Sequence, residues 1–301
     1  MRTVPYSAAK ADLFTPYLRG NYFTGNEAQT TPGLCAELSR LAYARKVPSR
    51  AFDQQLITSV LARIGFARCG FLESTQSPGG THCFTAVGTV PSSGTPVGLV
   101  VFRGTDADDP TDIGDDADLL LTQWPSGGHV HRGFFGALND IEPGLDAAVN
   151  SLACPILFTG HSLGAALATL AASQYRPAVA NNSALYTFGS PRVGDVAFTA
   201  TLAGMAGRRY VDCTDIVTEI PPPVVYAHVG PPYYINRNGE ITLDPPCVAI
   251  LEDQAQGEID YAREYALRPG NVDVRNLADH IPLNYVYAVS AAEPLAAAAG
   301  A

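Results

Sequence analysis

The chain lacks any apolar run near the roughly 18 consecutive residues a membrane-spanning helix needs, because Gly, Pro or a charge breaks each stretch. No transmembrane segment is expected. Lysine occurs only as Lys10 and Lys46, and no basic cluster is present. With a net charge of -10 and a pI near 5.0, a nucleic-acid partner, which calls for a basic patch, is not expected. There is no C-x-x-C pair among the six cysteines Cys35, Cys69, Cys83, Cys154, Cys213 and Cys247, which excludes a zinc knuckle and a thioredoxin-type motif. Buried free thiols are the expected state, and the even count leaves disulfides open. The opening MRTVPYSAAKADLFTPYLRG has no apolar block of the length a secretory leader requires. As written the chain is expected in the cytoplasm, or outside the cell if a leader has been removed. No repeat, low-complexity block or long linker interrupts the 301 residues, of which 47% are hydrophobic and 16% charged. A single domain spanning residues 1–301 is the expectation.

What is present alternates between two periodicities. Leu34, Leu38, Leu41 and Ala42 form a helical stripe, and FDQQLITSVLARIG repeats the pattern. Strand-like runs follow at Phe66 to Leu72, Cys83 to Val90 and PVGLVVFRG, the last apolar enough to be buried on both faces. GFFGALNDIEPGLDAAVNSL predicts a helix interrupted at Pro143, CPILFTG a strand, and LGAALATLAASQYR a helix ending before Pro177. ALYTFGS, DVAFTATLAGM and RRYVDC continue as strand, helix and strand. Such alternation implies crossover connections and a mostly parallel central sheet with helices on both faces, an α/β fold whose ligands bind beyond the carboxyl ends of the strands.

Within ILFTGHSLGAALATL, Ser162 lies between Gly160 and Gly164. A bare G-x-S-x-G arises by chance in about one chain in ten of this length. Here, however, it follows a predicted buried strand directly and opens a predicted helix, the setting of a nucleophile elbow. The turn is tight enough that side chains two residues either side of the serine would collide, and Gly160 and Gly164 remove them.

A serine hydroxyl needs a base, itself oriented by a third group. In elbow-type hydrolases the chain order is nucleophile, acid, histidine, which leaves His228 and His280. His280 lies in NLADHIPLNYVY, a loop-like stretch before a short apolar segment, and is the expected base; His228, in VVYAHVGPPYYI, is expected to be structural and in a strand. His161 shares the turn with Ser162 and is expected to pack or support. Asp215, just past the strand RRYVDC, is the expected acid, whereas Asp212 falls within that strand and Asp195 is a helix cap. The backbone N–H of Leu163 and the N–H or hydroxyl of Thr105, in the loop after PVGLVVFRG, are the expected oxyanion donors. Arg103 is expected to be structural.

Seven blocks, LVVFRGTD, HVHRGFFGAL, FTGHSLGAALATL, YTFGSPRVGD, CTDIVTEIPP, YAHVG and ADHIPLNYV, occur in that order. Together they resemble the class 3, or fungal-type, triacylglycerol lipases over roughly residues 34 to 287. The resemblance implies an α/β-hydrolase fold with a lid segment, a catalytic triad of Ser162, Asp215 and His280, and an oxyanion hole of Thr105 and Leu163. Two departures stand out. Ile113 and Gly114 occupy the place of the lid tryptophan, and the segment between Leu243 and Leu277 is longer than the family pattern.

A lid is expected within about residues 105–125. Ile113, Ala117, Leu120, Leu121 and Trp124 fall on one helical face; the resemblance instead places the lid nearer 106–115, with ADLLL opening the next ordered stretch. Seven aspartates lie between 106 and 118, but Pro110 stands where a calcium loop needs its third ligand, so a solvated acidic face is expected and no metal. These features imply a serine carboxylester hydrolase that needs no cofactor and acts on acylglycerols, possessing either a neutral lipid–water interface or soluble esters as its substrate phase. A short-chain or feruloyl-type esterase and a non-catalytic lipase-like binding module are the alternatives, and the sequence leaves oligomeric state open.

Overall fold

Eight strands form one sheet in the computed structural model, which describes residues 4–77, 79–105, 120–179 and 182–298. In chain order the ten strands of the described residues are β1 (Phe66–Ser74), β2 (Thr81–Thr89), β3 (Pro96–Phe102), β4 (Leu121–Gln123), β5 (His129–His131), β6 (Ile156–His161), β7 (Ala184–Phe188), β8 (Ala206–Asp212), β9 (Pro232–Ile235) and β10 (Ile241–Leu243). The sheet order is β1-β2-β3-β6-β7-β8-β9-β10, with β4 and β5 forming a separate hairpin. From β3 to β9 every pairing is parallel, while β1-β2, β2-β3 and β9-β10 are antiparallel. The mostly parallel sheet expected from the alternation is therefore present, with antiparallel strands at its two ends.

The apolar run in β3 is continuous because both faces of the strand are covered. Leu99 and Val101 join a core with Leu34, Leu38, Phe188, Tyr210, Tyr285 and Val289, which places the helices Thr31–Leu41 and Pro282–Ala298 on one face. Val100 and Phe102 join Phe158, Leu167, Leu170 and Leu185 on the other, beneath the helix Leu163–Tyr175. Successive strand residues thus feed alternate cores, and each fully buried aliphatic or aromatic side chain contributes about 1.5–3 kcal/mol. Caps fix where the first long helices start: Thr30 Oγ1 accepts from the Gly33 N–H at 3.1 Å and Asp53 Oδ1 from the Leu56 N–H at 3.1 Å.

Several boundaries differ from the sequence reading. The interrupted helix is two, Arg132–Asn139 and Glu142–Ser151, parted where Pro143 enters the second at its first turn. DVAFTATLAGM holds only the short helix Val196–Ala200, with Asp195 capping it as expected. His228 lies outside any strand, because the chain turns between residues 222 and 230 before β9 begins. The apolar segment after His280 is not short but opens the helix Pro282–Ala298. Between Leu243 and Leu277 lies the helix Cys247–Glu264, which buries only Gly257 and Tyr261.

The proposed lid helix and its aspartates fall mostly on residues 106–119, outside the described residues. The reading that carried this helix on through Trp124 is corrected by the residues that follow. Leu121–Gln123 is a strand, paired with β5, and Trp124 is buried at 1% exposure with its indole N–H donating to Ser173 Oγ at 2.9 Å. A side chain so deeply packed between Phe135 and Phe198 anchors the core rather than a moving cover. All six cysteines are free thiols; Cys35, Cys83 and Cys213 are buried, and Cys247 is exposed. Among the described residues no helix is long and apolar enough to cross a membrane.

Candidate active site

The strand β6 ends at His161 and the helix starts at Leu163, so Ser162 alone makes the turn between them. It does so at φ 60° and ψ -130°, a conformation disfavoured for any residue with a Cβ. The turn is closed so tightly that a Cβ on Gly160 would lie 2.3 Å from the Gly164 backbone, and one on Gly164 2.4 Å from the Phe102 carbonyl oxygen. Both glycines of the motif are therefore required by backbone contact, as the sequence predicted. The Ser162 N–H is held by the Phe188 carbonyl at the end of β7, at 3.0 Å. Its hydroxyl is buried and makes no hydrogen bond among the described residues.

Asp215 and His280 meet at the same strand end. His280 Nδ1 lies 2.9 Å from each Asp215 carboxylate oxygen. A carboxylate only accepts, so the ring proton sits on Nδ1 and Nε2 is left as an acceptor. Both residues stand against Gly189, directly after Phe188: a Cβ there would be 2.7 Å from Asp215 Oδ2 and 3.1 Å from His280 Nδ1. The positive φ of Gly189, 57°, meets the same need for a residue without a side chain. The expected acid and base are thus in contact, and Ser162 bonds the peptide beside them.

Thr105 is half-buried and follows Gly104, whose Cβ position lies 2.7 Å from the His161 carbonyl oxygen and 2.1 Å from the Tyr43 hydroxyl. The loop leaving β3 therefore crosses directly over the elbow. The Leu163 N–H belongs to the first helical turn, whose amides have no intrahelical acceptor. Arg103 has the structural role expected of it, donating to the Arg50 carbonyl at 2.6 Å and to His82 Nδ1 at 2.7 Å. His228 donates from Nε2 to the Thr218 carbonyl at 2.8 Å, away from Asp215.

A second set of polar residues holds Asp215 and His280 in place, and the sequence did not single most of them out. The Tyr285 hydroxyl donates to Asp215 Oδ2 at 2.5 Å while accepting the Asp212 N–H at 3.0 Å. Burial and the neighbouring Asp215 and Asp212 carboxylates push the Tyr285 phenol well above its ordinary pKa, so it stays a donor. His161 lies ring to ring with His280 at 4.5 Å, and its Nε2 donates to the His280 carbonyl at 2.9 Å while Nδ1 accepts from the Tyr43 hydroxyl at 2.8 Å. Complete burial, with His280 beside it, holds this imidazole well below its usual pKa and therefore neutral. The supporting role expected of His161 is this hold on the next histidine.

Asp279, adjacent to His280 and fully buried, gathers four donors. Tyr6 Oη lies at 2.8 Å, the Thr214 N–H and hydroxyl at 3.0 and 2.9 Å, and Arg275 Nε at 2.9 Å. Because Thr214 precedes Asp215, one carboxylate fixes the segments of both Asp215 and His280. Arg275 in turn reaches the Gly257 carbonyl at 3.0 Å, and Gln254 reaches the Cys213 carbonyl at 2.8 Å. The helix Cys247–Glu264 therefore braces the Asp215 segment. The Asp-His dipeptide at 279–280 was the one local signal that could have pointed to this network.

A serine on a strained strand-to-helix turn, followed along the chain by an acid and then a histidine at the edge of a mostly parallel sheet, defines the α/β-hydrolase class. Residues 99–225 match the family model described as lipase (class 3). It is similar to a lipase of Rhizomucor miehei, 35% identical over 139 residues, covering 42% of this chain and 38% of that protein. It is also similar to the secreted mono- and diacylglycerol lipase 1 of Fusarium solani, 37% identical over 115 residues, covering 36% of this chain and 34% of that one. The matched segment thus spans less than two fifths of either curated relative. The likeness in three dimensions is broader. The solved Rhizomucor miehei triacylglyceride lipase superposes with a TM-score of 0.55 at 27% identity, over 68% of this chain and 78% of that one.

Proposed function

We propose that the chain is a single-domain serine carboxylester hydrolase acting on acylglycerols. Ser162 is the nucleophile, His280 the base and Asp215 the group that orients it. His280 Nε2 takes the hydroxyl proton as Ser162 Oγ attacks the ester carbonyl, and the Asp215 carboxylate stabilises the imidazolium so formed. The Thr105 and Leu163 N–H groups receive the oxyanion. The imidazolium then returns its proton to the departing alcohol, leaving an acyl-enzyme, and water repeats the sequence to release the fatty acid. The scheme calls on no metal or cofactor. The serine hydroxyl and imidazole are not bonded in the free protein, as is common before substrate tightens a catalytic hydrogen bond.

The observation that carries this reading is the His280–Asp215 pair against Gly189, one peptide from the carbonyl that holds the Ser162 amide. Acylglycerol as substrate is supported by the mono- and diacylglycerol lipase activity named for the Fusarium relative. Exposed Ile216, Val224 and Val225, on the segment that follows Asp215, add an apolar surface suited to a lipid phase.

The test is labelling of Ser162 by a fluorophosphonate, followed by rates on esters of increasing chain length below and above their solubility limit. Stoichiometric labelling and a rate rise at the limit are expected. A rate that peaks on short soluble esters assigns the chain to the esterases instead, and absence of labelling with intact fold overturns the hydrolase reading.

A further inference from the structure

The structure holds a cavity of about 560 Å³ on the face of the sheet covered by the helix Leu163–Tyr175, separate from the Ser162 hydroxyl. Its size falls within the range of about 300–1,000 Å³ typical of small-molecule sites. Strand periodicity places Arg209 on the same face as Leu185 and Thr187, and Arg209 is the register partner of Thr187 in the parallel pair β7-β8. Leu185, Val193, Leu202, Met205 and Val229 give the cavity a mostly apolar wall, which Thr169, Thr187, Ser190 and Thr199 interrupt. Among the described residues that line it there is no aspartate or glutamate.

Arg209 is the exceptional group. Among the described residues its Nε is buried with no hydrogen-bond partner, its one hydrogen bond is a long 3.4 Å contact to the Gly230 carbonyl, and no carboxylate forms an ion pair with it. The nearby Arg192 is differently placed: it donates to the Pro221 carbonyl at 2.9 Å and pairs with Glu219 at 3.3 Å. Burial and the neighbouring Arg192 push the Arg209 guanidinium down to about 10, still charged near neutrality. His228, which also lines the cavity, is held neutral by burial and by Arg209 and donates its proton to Thr218. Arg209 is partly exposed and feels Glu219 and Asp244 at a distance, but its buried Nε has no acceptor, and an unmet polar atom in a folded protein calls for a partner.

We propose that this cavity is a binding site for a fatty carboxylate, with the carboxylate on Arg209 and the alkyl chain along Leu185, Leu202, Met205 and Val229. A guanidinium presents parallel N–H donors to a carboxylate, and the apolar walls supply the rest of the affinity by burial of methylene groups. An uncharged alcohol of the same length satisfies only the walls. The site makes no use of Ser162, so it stands or falls independently of the hydrolase reading.

Met205 provides a reporter inside the cavity, and Met1 is the only other methionine. In protein labelled with [methyl-13C]methionine, decanoate added below its micelle concentration is expected to shift the Met205 resonance saturably and leave Met1 unmoved. Decanol should bind at least tenfold more weakly, and Arg209→Gln should lower decanoate affinity to the level of decanol. An unmoved Met205, or equal responses to decanoate and decanol, overturns the proposal. If Arg209→Gln unfolds, shown by a Met205 signal at the free-methionine position, the comparison of the two ligands on the unaltered chain decides alone.

Discussion

Between Gly160 and Gly164 the chain is held by backbone pressed on backbone, whereas between Arg275 and Tyr285 it is held by hydrogen bonds among buried polar side chains. The first arrangement tolerates no added atom, because the Gly164 and Phe102 main chains already touch. The second is built from discrete donors and acceptors, Tyr285 on Asp215, His161 on the His280 carbonyl and Asp279 on Thr214, each removable singly. Sterics fix one partner of the proposed reaction absolutely. Directional bonds aim the other, and they can be weakened by degrees.

Substitutions at the two places should therefore fail in different ways. Ser162→Ala keeps the turn and removes only the proposed nucleophile, so kcat on a soluble ester should fall by roughly 10⁴–10⁶-fold with an unchanged unfolding midpoint; residual activity within tenfold of the parent would mean that another group attacks. Gly164→Ala should act on folding first, with a loss of about 3 kcal/mol or more in urea titration, or no recoverable protein, because the Phe102 carbonyl cannot retreat from a new Cβ.

In the polar half, Asp279→Ala leaves Arg275 buried without its carboxylate, and a loss of about 3 kcal/mol is expected by the same titration. Tyr285→Phe should cost about 1–2 kcal/mol, since the Asp212 N–H loses its acceptor. It should also lower kcat several-fold at nearly constant KM, because the acid loses a donor; an unchanged kcat would make Tyr285 purely structural.

A further effect is expected from acid. His161 is held well below its usual pKa, mainly by burial, and His82 is pushed down to about 3, by burial and then by Arg103. Below about pH 6.5 the unfolded chain takes up protons that these buried imidazoles refuse, so stability falls as pH falls, by up to about 1.4 kcal/mol per unit for each. Urea midpoints measured between pH 7 and 5.5 should decline accordingly. A flat profile would mean that the two rings gain charge without resistance.

The same contrast explains what was legible in the residues alone. Sterically enforced turns leave a local signature, since glycines must recur at fixed distance from Ser162. The strand runs in β3 and β6 were equally plain because apolar residues fill both faces. Asp215 and His280 could be named from chain order. Their contact could not, nor could the parts played by Tyr43, Thr214, Arg275 and Tyr285, because these donors come from segments far apart in the chain and carry no spacing rule. The helix Cys247–Glu264 was illegible for a related reason. It buries only Gly257 and Tyr261, so it shows only a faint apolar stripe. Trp124 misled in the opposite direction, continuing a helical stripe by coincidence of spacing while belonging to the core.

The cross-link between Asn284 and the backbone of Ser7, with Asn284 Oδ1 accepting at 2.7 Å and its amide donating at 2.9 Å, gives the molecule a temporal order. A ribosome that has completed the elbow has yet to produce His280, Tyr285 or the residue that clasps the opening segment. Nascent chains stalled before position 275 should accordingly be inert toward a fluorophosphonate, and release of the remaining residues should switch reactivity on in a single event.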